Sequence, residues 1–239
     1  MQKKRIIGLD IFRGLALLLM MTYHFTYDLN HFGFIDVDMN HTQGFLLFRY
    51  TIMTMFLLSV GISLALVHQN GIKWSSVRKR LLQLGIASLV VTIATYVVFP
   101  NSWVYFGILH FILFASLVTL PLLRFPKTTL LLSLLILVAS ATKSIDMNSL
   151  FQLLQTPLHL PRYTEDLVPF VPWVAVVLLG MSLVQQNYHQ DLFNSKAFTQ
   201  NSPLHKILKK MGQHSLLIYL IHQAVFFGLF ELYFILFSK

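Results

Sequence analysis

The sequence contains no cysteine and few charged residues, and each scarcity excludes a class of site or protein. Without cysteine, disulfides and thiolate chemistry are excluded. Only 11% of the residues are charged and 56% are hydrophobic, whereas soluble domains are about 25% charged. Several apolar stretches approach or exceed the ~20 residues that cross a bilayer. The composition therefore predicts an all-α, polytopic membrane protein.

Seven stretches have the hydropathy and length of membrane spans. They lie at about 8–29, 44–67, 79–99, 103–123, 127–142, 168–185 and 214–237. No linker, low-complexity tract or internal repeat separates them, so residues 1–239 are predicted to form a single helical-bundle domain. An odd number of spans places the two termini on opposite sides of the membrane.

Lysine and arginine are distributed unevenly between alternate loops. With the N-terminus inside, the thirteen cytoplasmic ones are Lys3, Lys4, Arg5, Lys73, Arg78, Lys79, Arg80, Arg124, Lys127, Lys196, Lys206, Lys209 and Lys210. The three outer ones are Lys143, Arg162 and Lys239. The positive-inside rule therefore predicts a cytoplasmic N-terminus in an inner (plasma) membrane. This bias accounts for the net charge of +9 without nucleic-acid binding.

The basic stretch 186–213 is predicted to face the cytoplasm. An interfacial helix is expected at about 203–211. The favoured interpretation of the stretch as a whole is a solvated, charged loop that meets anionic lipid.

Ionisable side chains inside the first span favour a functional role, because charges are costly in a membrane. Arg13 and His24 are eleven residues apart, about 1100° of helical rotation, and Asp10 and Asp28 share their arc of about 60°. Along the axis, Arg13 and His24 would be roughly 16 Å apart. Such a polar face predicts a cavity or contacts with polar groups of other helices. The alternative is that Asp10 and Arg13 only neutralise each other.

His24, with a carboxylate close by, has the parts of a general base or a transient acyl acceptor. Asp28 lies one turn beyond His24 and is expected to orient it or to pair with Arg49. Helical rise places His110 roughly 10 Å below the outer surface, at a depth similar to that of His24. The predicted catalytic residues are therefore His24, Asp28, His110 and Arg49. Structural hydrogen bonds or ion pairs are the alternative for each.

A cation below an imidazole on one helix face suits a long anionic co-substrate. Coenzyme A is such a molecule, with phosphates near Arg13 and a pantetheine arm that reaches His24. The predicted donor-binding residues are Asp10, Arg13, Arg78, Arg80 and His222. The predicted acceptor-binding residues are His41, Asp166 and Trp173. No spacing in the outer loops forms a recognisable metal site.

Residues 9–16, Leu-Asp-Ile-Phe-Arg-Gly-Leu-Ala, followed by His24, resemble the transmembrane acyltransferase superfamily. The Arg13–His24 spacing resembles the acyltransferase-3 motif. The whole chain is similar to bacterial relatives of the catalytic domain of heparan-α-glucosaminide N-acetyltransferase. The matching segments, in order along the chain, are 24–29, 56–63, 106–110, 166–180, 212–216 and 219–223.

The resemblance implies transfer of an acetyl group from cytoplasmic acetyl-CoA to an amino sugar or other glycan on the far side, without a metal. In the lysosomal enzyme, the position matching His24 resembles Asn and the catalytic His follows in the first outer segment. That segment here contains His31 and His41, so the resemblance leaves the identity of the catalytic imidazole open. A homodimer is also left open.

Two other functions stay open on the residues alone. A proton-coupled small-molecule transporter would use His24, Asp28, Arg49 and His110 as a relay. A haem-binding bundle would use paired imidazoles on facing helices, but it gives the Arg13 face no role.

Overall fold

The computed structural model describes residues 5–145 and 147–237. Lys3, Lys4 and Lys239, three of the cations used for the predicted orientation, lie outside the described residues. The helices are α1 (Ile7–His31), α2 (Gln43–His68), α3 (Trp74–Val98), α4 (Ile108–Val118), a 3₁₀ helix (Leu120–Arg124), α5 (Pro126–Ala141), α6 (Asn148–Gln155), α7 (Phe170–Gln185), α8 (Tyr188–Phe193), α9 (Lys196–Thr199), α10 (Pro203–Gln213) and α11 (Ser215–Phe237). Strand-like pairing in the described residues is limited to one bridge between Phe106 and Leu167.

Each of the seven predicted spans contains an apolar helix. α1, α2, α3 and α11 have 25, 26, 25 and 23 residues, and each is long and apolar enough to cross a membrane. α4, α5 and α7 are also apolar but have only 11, 16 and 16 residues. The predicted all-α, polytopic membrane fold class is therefore confirmed.

Two helices begin away from the predicted boundaries. α3 begins at Trp74, five residues before the predicted span, because Lys and Arg have high helix propensity and hydropathy marks only the apolar part of a helix. α4 begins at Ile108, five residues after the predicted start at 103. Residues 103–107, Trp-Val-Tyr-Phe-Gly, lie within the predicted span but are not helical.

The chain forms two compact units, which divide within α2. The first unit contains Met1–Phe56 and Gln190–Lys239, and the second contains Leu57–His189. The single domain over residues 1–239 stays a prediction.

In the first unit, α10 lies antiparallel against the start of α1. A Cβ atom built on Gly14 would overlap the carbonyl oxygen of Leu208, and one built on Gly212 would overlap that of Asp10. The two backbones are in contact at both positions, so neither glycine can gain a side chain without displacing the other helix.

α11 runs parallel to α1 in the same unit. The ring of Phe25 packs on Phe226 at 5.6 Å, and the ring of Phe32 packs on Phe234 at 5.5 Å. Contacts therefore advance in the same direction along both helices.

Residues 190–213 of the basic stretch 186–213 pack against α1 in the first unit. The ring of Phe12 lies 6.2 Å from Phe193 and 6.3 Å from Phe198. Leu208 is also buried. The helix predicted at about 203–211 is confirmed as α10. The favoured interpretation as a solvated loop is wrong, because apolar side chains between the charges attach the stretch to α1.

The second unit is centred on α7. Gly61 of α2 and Gly180 of α7 form a close crossing, since a Cβ on Gly61 would overlap the Val177 carbonyl and one on Gly180 the Leu58 carbonyl. Ser133 of α5 donates a hydrogen bond to the Ala175 carbonyl of α7 at 2.8 Å.

Candidate active site

One face of α1 carries Asp10, Arg13, His24 and Asp28. The helix is continuous from Ile7 to His31, so Arg13 and His24 lie roughly 16 Å apart along its axis. Asp10 and Asp28 are only 2% and 0% exposed, which is unusual for carboxylates. α10 covers this face at Asp10, and α11 covers it at His24 and Asp28. The polar face thus meets other helices of the same unit.

Two guanidinium groups share one carboxylate near the start of α1. Arg5 donates to the Asp10 carboxylate at 2.6 and 3.2 Å, and Arg13 Nη1 lies 3.6 Å from Asp10 Oδ1. Asp10 and Arg13 therefore do pair, but the group as a whole keeps a net positive charge. The α10 helix on the same segment of α1 adds Lys206, Lys209 and Lys210. This end of α1 is suited to an anionic ligand.

Two imidazoles meet farther along the same face. The rings of His24 and His222 lie 5.0 Å apart, edge to face at 67°. Of the described residues of α11, His222 alone is buried. From the sequence, His222 is predicted to bind the donor, and His110 is predicted to lie at a depth similar to that of His24. The structure instead places the His222 ring against His24.

Asp28 bonds to an amide side chain next in sequence to His222. Gln223 Nε2 donates to Asp28 Oδ1 at 2.7 Å. Among the described residues Asp28 forms no ion pair with Arg49, whose guanidinium lies 5.8 Å from the centroid of the Tyr50 ring. The role of Gln223 was not predicted from the sequence, because an uncharged amide side chain does not stand out in an apolar helix. Its place in the segment 219–223, beside His222, was the available indication.

The side chains that make these contacts also contain three buried polar atoms without partners among the described residues. Over residues 5–145 and 147–237, His222 Nε2, Asp28 Oδ2 and Gln223 Oε1 have no hydrogen-bond partner. A buried polar atom without a partner costs about 1–3 kcal/mol, so such atoms mark a place where a ligand or water supplies donors.

His110 and Asp166 lie in the second unit, around the start of α4. His110 Nε2 lies 3.0 Å from Thr92 Oγ1 of α3. The helical rise counted from residue 103 to His110 does not apply, because α4 begins at Ile108 and His110 is only its third residue. Asp166 Oδ2 accepts the Ile108 N–H at 2.9 Å and so fixes where the helix begins.

An apolar groove of about 400 Å³ borders His110. It is lined by Leu81, Phe106, His110, Leu113, Phe114 and Leu117. His110 Nδ1 is buried and has no hydrogen-bond partner in the described part of the chain. The surroundings of this imidazole are therefore apolar apart from Thr92.

A basic cluster lies at the turn from α2 to α3 in the second unit. His68 is 5% exposed, and its Nδ1 accepts the backbone N–H of Lys73 at 3.0 Å. Lys73 and Arg80 are both close enough to His68 to act on it electrostatically. Arg78, the other predicted donor-binding cation of this segment, is exposed in the first turns of α3.

The predicted acceptor-binding residues do not form one cluster. His41 is exposed, and its Nδ1 lies 2.8 Å from Asp38 Oδ2. Hydrogen bonds from the backbone and ring of His41 lower the pKa of Asp38. Trp173 is half-buried in α7, and Asp166 caps α4. Within the described residues, no group of three or more His, Cys, Asp or Glu side chains is placed to hold a metal ion.

Comparison with protein families gives one match. A family model described as "Heparan-alpha-glucosaminide N-acetyltransferase, catalytic" matches residues 5–224. Neither the curated proteins nor the solved structures gave a match. The matched range includes residues from both units and contains His24, Asp28, His222 and Gln223.

Proposed function

We propose that this chain, which belongs to the heparan-α-glucosaminide N-acetyltransferase catalytic family, moves an acetyl group from cytoplasmic acetyl-CoA to an acceptor at the outer side of the membrane. Membership makes the protein a multi-pass membrane acetyltransferase. The acetyl-CoA donor, an amino sugar or other glycan as acceptor, and the inner (plasma) membrane are the further parts of the proposal. Residues 1–239 act as one catalytic domain.

The proposal rests on the polar face of α1. A transmembrane acetyl transfer needs a site for the phosphates of CoA on one side and a reactive group that an acceptor reaches from the other side. α1 has a cationic group around Arg13 and an imidazole at His24, on one face and roughly 16 Å apart. A helix needs neither of these polar groups to span a membrane.

The donor phosphates bind at the cationic end of α1. Arg13 and the three α10 lysines supply the positive charge, and guanidinium groups suit phosphate oxygens. Asp10 holds the two arginines in place. Arg78 and Arg80, with Lys73 beside His68, form a second basic cluster on the same predicted cytoplasmic side.

The acetyl group reacts at His24. Its imidazole either removes a proton from the attacking amine or hydroxyl, or takes the acetyl group first and then passes it on. In both routes the bond from the acetyl carbon to sulfur breaks, and the electron pair stays on the sulfur of CoA. Asp28 holds the neighbouring α11 segment through Gln223, and Arg49 of the same unit assists.

The acceptor approaches from the predicted outer side. His41 and Trp173 are the candidates for contacts with it, together with Asp166. The carboxylate of Asp166 already accepts the Ile108 N–H, so its contribution is to fix the start of α4 beside His110.

A thiol-release assay on purified protein in liposomes tests the proposal. Acetyl-CoA and a panel of amino sugars and alcohols should release CoA thiol in wild type. His24→Ala should abolish release and leave acetyl-CoA affinity within about twofold, because the phosphates bind roughly 16 Å away.

His41→Ala is the comparison variant, since His41 is an exposed imidazole of the outer segment and a candidate acceptor contact. It should keep kcat and raise only the KM for the acceptor. Loss of activity in His41→Ala with full activity in His24→Ala would move the reacting imidazole into the outer loop. An absence of thiol release by wild type with every acceptor, combined with proton-driven uptake, would establish a transporter instead.

A further inference from the structure

The hydrogen bonds of His222 fix which of its ring nitrogens is free. His222 Nδ1 lies 2.7 Å from the carbonyl oxygen of Tyr219. A carbonyl only accepts, so Nδ1 carries the proton and donates it. Nε2 is therefore the nitrogen with the lone pair. This atom is buried and has no partner among the residues that the structure describes.

His222 is also placed where the chemistry is proposed to occur. Its ring lies 5.0 Å from that of His24. One turn farther along α1, Asp28 accepts from Gln223, the neighbour of His222 in sequence. Two contacts between α1 and α11 thus bring the side chains that bear one basic nitrogen and two oxygen acceptors to the helix interface at His24 and Asp28.

The free atoms at these contacts are all acceptors. Asp28 Oδ2 and Gln223 Oε1 lack partners, like His222 Nε2, in the described part of the chain. A ligand that satisfies such atoms must bring hydrogen-bond donors, and the carboxylate favours a donor with positive charge. A primary amine meets both requirements, because it offers several N–H groups and binds as an ammonium or an amine.

We infer that His222 is a second catalytic residue, whose Nε2 takes the proton from the acceptor amine in a subsite shared with Asp28 and Gln223. This inference rests on the proposed acetyl transfer. It assigns the proton to α11, whereas the sequence analysis placed His222 with the donor-binding residues.

The attacking species is a neutral amine, and His24 already carries the acetyl group. CoA has left as the thiol, with the proton that the acetylated imidazole loses. The amine nitrogen lone pair attacks the acetyl carbon and a C–N bond forms. The bond from that carbon to the His24 imidazole breaks, and its electron pair stays on the imidazole nitrogen. The proton lost by the amine moves to His222 Nε2, and His222 then gives it to the His24 imidazole.

Substitutions that keep the shape but not the basicity test this role. In His222→Gln and His222→Asn, a carboxamide fills part of the ring's space and forms hydrogen bonds, but it cannot take the proton. We expect kcat for thiol release to fall at least ~100-fold, as is usual for loss of a general base. The Kd for acetyl-CoA should stay within about twofold.

His214→Gln is the matched control, because His214 is an exposed imidazole that directly precedes α11. It should leave kcat and Kd unchanged. Asp28→Asn should raise the KM for the amine more than it lowers kcat, since Asp28 binds the amine but takes no proton.

Each result separates the inference from the proposed function. Wild type that releases no thiol refutes the acetyl transfer itself. Active wild type with kcat retained within about fivefold in His222→Gln overturns the inference alone. Loss of acetyl-CoA binding or of the folded state in both carboxamide variants assigns His222 to donor binding or structure and also overturns it.

Discussion

Asp10 shares one buried carboxylate between two arginines, and this determines which of the three residues can be substituted informatively. Removing Asp10 would leave two cations without their shared carboxylate partner, which is costly where the site is buried. Removing Arg13 leaves Asp10 paired with Arg5 at 2.6 Å. The charge of Arg13 can therefore be tested without leaving the Asp10 carboxylate unpaired.

Arg13→Ala should raise the Kd for acetyl-CoA about tenfold. One charge-assisted hydrogen bond contributes roughly 1.5–3 kcal/mol, and 1.4 kcal/mol is about tenfold in affinity. The remaining affinity should also depend less on salt, because fewer charges are paired. Calorimetry at two salt concentrations measures both effects. Arg124→Ala, which removes an exposed cation of the second unit, is the control; unchanged affinity in Arg13→Ala would exclude Arg13 from the phosphate site.

At the level of helices, two glycines determine how α10 lies on α1. Gly14 and Gly212 each place their backbone against the backbone of the other helix, four residues apart on each side of the crossing. Close backbone approach through small residues is a common way for helices to associate in membranes. The contact also places α10, the helix that contains Lys206, Lys209 and Lys210, on the segment of α1 that contains Arg13.

Gly212→Ala should lower the stability of the protein by about 1–3 kcal/mol, because its methyl group would overlap the Asp10 carbonyl. The midpoint of thermal unfolding in detergent measures the loss. Gly228→Ala in α11 is the control, since no atom lies within 4 Å of a Cβ built there. Alanine at that position should be neutral or stabilising, because it favours the helix. Equal midpoints for the two variants would contradict the close contact.

For the whole molecule, the uneven distribution of cations predicts which side of the membrane each loop faces. α1 and α11 run parallel, as the first and last of an odd number of spans should. Which side of the membrane each of these two helices starts from is predicted from the loop charges alone.

Cysteine labelling of this cysteine-free chain tests the orientation. Ser75→Cys, exposed in the first turn of α3, should react with a membrane-impermeant maleimide only after the cells are permeabilised. Ser144→Cys, in the predicted outer segment, should react in intact cells and serves as the control. Labelling of Ser75→Cys in intact cells would reverse the predicted topology.

The fold class could be predicted because a bilayer imposes a length and a composition on every span. The start of α4 could not be predicted, because it depends on a hydrogen bond to Asp166. Asp166 is 58 residues away from Ile108 in sequence, so the residues around Ile108 do not indicate the contact. The packing of 186–213 was also missed, since Phe193 and Phe198 are too widely spaced among polar residues to indicate a span.

The polar face of α1 could be predicted from helical periodicity, which needs no tertiary information. Its partners could not. Which helix covers His24 depends on how α11 packs on α1, and that packing is made by aromatic contacts between residues about 200 positions apart in sequence. The sequence therefore indicated the first imidazole of the pair but not that His222 is the second.

The short turn between α10 and α11 links the rotation of α11 about its own axis to the glycine contact between α10 and α1. α10 ends at Gln213 and α11 begins at Ser215, so only His214 separates them. With α10 held on α1, this one-residue turn acts together with the aromatic contacts between α1 and α11 to set the rotation of α11 about its axis. One inserted residue would turn α11 by about 100° and advance it by 1.5 Å, and His222 would rotate away from His24. The length of this turn therefore helps to keep His222 on the side of α11 that contacts His24.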